Sequence, residues 1–72
     1  MSEREYQGEV GTLYVKETHD DDRPFNVWFD VWFEDFHIVG LGNNEADALR
    51  DTIRFANGLR ALAMKALDQI GE

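Results

Sequence analysis

Apolar and polar residues alternate most strictly over positions 25–34. Phe25, Val27, Phe29, Val31 and Phe33 take every second place, and Asn26, Trp28, Asp30, Trp32 and Glu34 fall between them. Successive side chains of a strand point to opposite faces, so this pattern predicts a strand over 25–33 with one apolar face. A weaker alternation predicts a strand over about 10–17, with Gly11, Leu13 and Val15 on one side and Val10, Thr12, Tyr14 and Lys16 on the other. The polar run 17–24, ending at the only proline, reads as the loop between these two strands. A third strand is expected over 36–41 after a two-residue turn at Glu34-Asp35. With Phe33 opposite Phe36, Val31 meets Ile38 and Phe29 meets Gly40, all on the apolar face. The same register sets Trp32 opposite His37, Asp30 opposite Val39 and Trp28 opposite Leu41. A one-residue slip brings His37 onto the apolar face instead. Residues 1–8 read as a mobile terminal segment outside the sheet.

The period becomes helical after Gly42. Asn44 is suited to be an N-cap, with Asp47 three residues on as the capping-box acid. Leu49, Ile53, Ala56, Ala63, Leu67 and Ile70 form a stripe at helical spacing, and Gly71 ends the run, which predicts a helix over about 44–70. Leu59, Leu62 and Ala66 make a second stripe beside it. Asn57-Gly58 interrupts the segment and leaves two readings, a kinked helix roughly 39 Å long or two helices broken at Gly58. The expected architecture is α+β: one β-β-β-α domain over 1–72, a three-stranded antiparallel meander with its helix lying over the Phe25/Phe29/Phe33 face.

Charge narrows the function classes. The 72 residues hold fifteen acidic and seven basic side chains, a net charge of −8, and residues 1–35 alone carry −7 of it. An acidic chain lacks the basic stripe that displaces counterions from nucleic acid, and it is repelled by anionic membranes, so neither is expected as a direct partner. A hydrophobic content of 43% is too high for a disordered acidic tail. No apolar run approaches the ~20 residues of a membrane span, and the polar start Met1-Ser2-Glu3-Arg4-Glu5 does not resemble a signal peptide. The expectation is a cytoplasmic protein. The chain has no cysteine and so no thiol chemistry.

Four features are candidates for chemistry or binding. The sheet face away from the helix carries Trp28 and Trp32 with Asp30, His37 and Tyr14, whereas an antiparallel sheet normally turns polar residues to water there. Aromatic anchors in an apolar patch suit a protein interface; the alternative is that the N-terminal segment or the far half of the helix folds over these rings. The helix beyond Gly58, with Leu59, Leu62, Ala66, Leu67 and Ile70, exceeds what a small sheet can cover. It points to a homodimer, or else to a helix folded back at Gly58. The third feature is Asp20, Asp21 and Asp22. They lack the alternating ligands and glycine of an EF-hand loop, so they read as a solvated acidic surface for a basic partner rather than a metal site. Catalysis is the fourth. His19, His37 and the threonines carry no local signature of an activated nucleophile, so no catalytic residue, metal or cofactor is expected.

Phe33-Glu34-Asp35-Phe36, Val39-Gly40-Leu41-Gly42, Glu45-Ala46 and Ala48-Leu49 together resemble HicB-like antitoxin domains over about residues 13–49. The turn here lacks that family's proline, and the spacing from Phe33 to the helix is about two residues shorter. The resemblance implies a partial RNase H-like β-β-β-α domain that neutralises a basic RNA-cleaving toxin by contact. In general character the chain is also similar to small acidic phage inhibitors such as anti-CRISPR proteins. The function expected is that of a non-enzymatic inhibitor that docks on a basic nucleic-acid-binding protein. The alternative is a structural or assembly protein that acts through self-association.

Overall fold

A computed structural model of the chain describes residues 3–19, 22–30 and 36–71, without the side chain of Phe36. It is α+β, with one antiparallel sheet followed by one helix. The sheet has four strands, where three were expected: β1 (Glu3–Gly8), β2 (Gly11–Glu17), β3 (Phe25–Asp30) and β4 (Phe36–Gly42), in the order β1-β2-β3-β4. The helix α1 spans Glu45–Gln69.

The additional strand is the segment expected to lie outside the sheet. β1 pairs with β2 from Glu3 opposite Lys16 to Gly8 opposite Gly11, leaving Glu9-Val10 as a two-residue connection. Every residue of β1 is exposed. An edge strand with nothing to bury needs no apolar alternation, so Glu3-Arg4-Glu5-Tyr6-Gln7-Gly8 shows none. Gly11 adopts φ +146°, and a Cβ there would run into the Asp30 carbonyl oxygen, so both conformation and close approach select glycine.

The core is small. Val15 and Val27 lie opposite each other on β2 and β3 and meet Ala48 of α1; these are the buried apolar residues among those described. Leu13, Phe25, Val39 and Leu49 pack around them, partly buried. The inward parity of Leu13, Val15, Phe25 and Val27 is the one the alternation predicted.

The register of β3 with β4 differs from the one expected. Phe29 faces His37, not Gly40, and Trp28 faces Ile38, not Leu41. Between Val27 and Trp28 the ladder shifts, because β4 contributes one additional residue, Val39. Such a bulge moves every later side chain of the strand to the other face. His37 therefore shares the helix-side face with Phe29, and Val39 packs beside the core instead of facing away from it. The last pair among the described residues is Asp30 opposite Phe36. The expected positions of Val31 and Phe33 and the Glu34-Asp35 turn lie outside the described residues.

The start of α1 follows the capping expectation. Asn44 Oδ1 accepts the Asp47 backbone N–H at 2.8 Å, and Asn44 Nδ2 donates to Asp47 Oδ2 at 3.1 Å. The acids Glu45 and Asp47 sit at the positive end of the helix dipole. The first two turns dock chiefly on β4. There Gly40 and Gly42 let the helix backbone approach closely, and the Asp51 carboxylate accepts the Leu41 N–H at 3.0 Å. Thr52 Oγ1 turns back onto the Ala48 carbonyl at 3.0 Å. At the other edge, the Tyr6 hydroxyl donates to Glu45 at 3.1 Å and Arg4 pairs with the same carboxylate at 3.4 Å.

Beyond Thr52 the helix leaves the sheet. Every residue over 53–71 is exposed, so Ile53, Ala63, Leu67 and Ile70 do not lie over the Phe25/Phe29 face as expected. α1 runs unbroken through Gly58, with no fold back. At Gly58 an added Cβ would meet nothing within 4 Å. Gly58→Ala is therefore expected to raise stability by about 0.5–1 kcal/mol, because alanine has less backbone freedom to lose. Thermal unfolding followed by circular dichroism checks this.

Candidate docking faces

The sheet surface away from α1 is organised by a row that crosses all four strands. Glu5 lies opposite Tyr14, Tyr14 opposite Trp28, and Trp28 opposite Ile38. Ile38 is 50% exposed, while Tyr14 and Trp28 are half-buried. Neighbours in such a row are close enough to touch. The Lys16 ammonium lies 5.3 Å from the centre of the Trp28 ring and 3.6 Å from Glu3 Oε2. One lysine thus bridges an aromatic face and a carboxylate, a cation–π arrangement that covers part of the indole. Gln7 donates to Glu5 at 2.8 Å and holds that carboxylate at the sheet edge.

The field on this face is negative. Partial burial, followed by the charges of Glu5, Asp30 and Glu3, pushes the Tyr14 hydroxyl above its ordinary value near 10. Asp30 is 8% exposed, and among the described residues neither its Oδ1 nor the buried Trp28 Nε1 has a hydrogen-bond partner. Buried polar atoms left unpaired cost about 1–3 kcal/mol each.

Of the residues singled out in the sequence, Tyr14, Trp28 and Asp30 come together on this face. His37 does not, since the β4 bulge sends it to the helix side, where it is exposed. Trp32, Asp20 and Asp21 lie outside the described residues, and Asp22 is exposed in the loop that Thr18 closes with two bonds to the Pro24 carbonyl. The residues that sequence reasoning missed are Glu3, Glu5 and Ile38. The period-two run Glu3, Glu5, Gln7 was the available signal for the first two; Ile38 reached this face only through the bulge. Among the described residues no element packs over the face, since the N-terminal segment extends the sheet as β1 and α1 sits on the opposite side.

A second surface lies on the helix side. Tyr6, Val10, Leu13, Phe29, Phe55 and Leu59 line an apolar groove of about 460 Å³ where α1 parts from the sheet. From it the exposed Leu62, Ala66, Leu67 and Ile70 run outward along the helix. Among the described residues, no group of three or more His, Cys, Asp or Glu is placed to hold a metal ion, and no helix is long and apolar enough to cross a membrane. No family model matches the chain, and no curated protein or solved structure matches it either.

Proposed function

We propose that this chain is a non-enzymatic, acidic interaction domain that docks on a basic, nucleic-acid-binding protein through the far face of its sheet. An inhibitor of antitoxin-like or anti-CRISPR-like character is the specific form of this reading. The observation that carries it is the Tyr14/Trp28/Ile38 row set among Glu3, Glu5 and Asp30, where apolar contact area sits inside a negative field. Aromatic anchors supply affinity once water is excluded, and surrounding charge speeds encounter with a partner of opposite sign. The exposed Asp22 adds a further negative charge near Pro24.

The test is retention of proteins from the source cell on the immobilised chain. The retained proteins are expected to be basic nucleic-acid binders, released by salt and displaced by added heparin. Glu3→Lys with Glu5→Lys is expected to weaken retention at least about tenfold at ~0.1 M salt and to flatten its salt dependence. Retention unaffected by salt, heparin and these substitutions would remove the electrostatic basis of the reading.

A second reading, a structural protein that acts by self-association, is favoured by the uncovered stripe on α1.

A further inference from the structure

The face of α1 that packs on the sheet does not stop where the sheet stops. Ala48 and Thr52 meet the strands, Phe55 and Leu59 line the groove, and Leu62, Ala63, Ala66 and Ile70 continue the same helical stripe into solvent. At ~100° per residue these positions stay within one side of the helix. Leu62 is 66% and Ile70 74% exposed. We propose that a second copy of the chain covers this stripe: two α1 helices pair antiparallel across a two-fold axis near Leu62 and Ala63, and the last turns of each enter the groove of the other.

Two observations select a second copy as the occupant. The first is shape. The groove is apolar and open where the helix departs, which suits the end of an apolar helix. The chain's own end, Leu67 and Ile70, is of that kind but cannot reach its own groove, because α1 is continuous through Gly58. The second is register. Antiparallel pairing centred on Leu62 and Ala63 sets Leu59 against Ala66 and Phe55 against Ile70, so large side chains meet small ones at the middle and fill the groove at each end. A two-fold contact needs a surface complementary to itself, and this stripe meets that condition. The size of the core agrees: a domain whose described buried apolar residues are Val15, Val27 and Ala48 gains from association what it lacks inside.

Sedimentation equilibrium of the full chain at ~10–100 μM is expected to give twice the 8.3 kDa chain mass. Leu62→Glu is expected to raise the dissociation constant at least about a hundredfold, since it would place a carboxylate beside its own mate in an apolar contact. The chain has no cysteine, so engineered ones report geometry directly. Ala63→Cys, near the two-fold axis, is expected to form a disulfide-linked dimer on mild oxidation. Ile70→Cys alone is expected not to, because its mate lies at the far end of the pair, but Phe55→Cys mixed with Ile70→Cys should cross-link. This set does not depend on a charged variant remaining folded. A chain that stays monomeric over the whole range overturns the proposal, and so does self-linkage of Ile70→Cys as efficient as that of Ala63→Cys, which marks a parallel pair. The outcome is separate from that of the lysate retention test, because the dimer leaves the Tyr14/Trp28 face open.

Discussion

Gly40→Ala is expected to cost about 3 kcal/mol or more, enough to unfold a large share of molecules at 37 °C. Gly40 lies opposite the fully buried Val27 and directly under α1. A Cβ built there would collide with Thr52 Oγ1 and stand 2.5 Å from the Ala48 carbonyl oxygen and 3.0 Å from the Thr52 backbone nitrogen. Two of these three neighbours are main-chain atoms of the docked turn, so no rotamer change relieves the contact. The helix must lift off β4, and lifting it stretches the Asp51 bond to Leu41 and uncovers Ala48. Gly8→Ala is the control, because a Cβ there meets only the Gly11 carbonyl oxygen at 3.9 Å. Urea unfolding of both variants checks this. Equal midpoints would show that the helix does not sit on β4 as described.

Val27→Ala is expected to cost about 2–3 kcal/mol, through lost burial and the cavity left behind. Val27 is 0% exposed and sits at the centre of the only fully buried cluster among the described residues. Its neighbours cannot close the gap easily, since Val15 is held by the β2 ladder and Ala48 by the capped first turn of α1. In a core this small, one such truncation is a large fraction of a total of roughly 5–15 kcal/mol. The measurement needs a fixed protein concentration, because a dimer's midpoint moves with it. A loss below about 0.5 kcal/mol would place the stabilising contacts elsewhere, with the helix pair as the next location to test.

These two positions also show what could be read before the fold was seen. Val27 was legible because a strand buried on one side must alternate, and Phe25, Val27 and Phe29 alternate without exception. Gly40 was legible only as a weak point in a strand; the closeness of α1 that makes it necessary is a tertiary fact. Asn44 and Asp47 could be assigned because a helix cap is a contact over three residues. Tyr14 and Trp28 could be placed on one face for the same local reason.

By itself the amino-acid sequence determined the class of fold, the inward parity of β2 and β3, the capped start of α1 and the concentration of negative charge in the first half. All of these follow from the one-dimensional order of apolar, polar and charged side chains. The tertiary structure alone decided that Glu3–Gly8 is a strand, that Val39 bulges and carries His37 to the helix side, and that α1 outruns the sheet. The first is held by backbone hydrogen bonds in a fully exposed edge strand, which needs no apolar alternation. The second is a match of two residues of β4 against one of β3, which the alternation of a single strand does not encode, and the third follows from the described sheet being too short to cover a helix about 37 Å long.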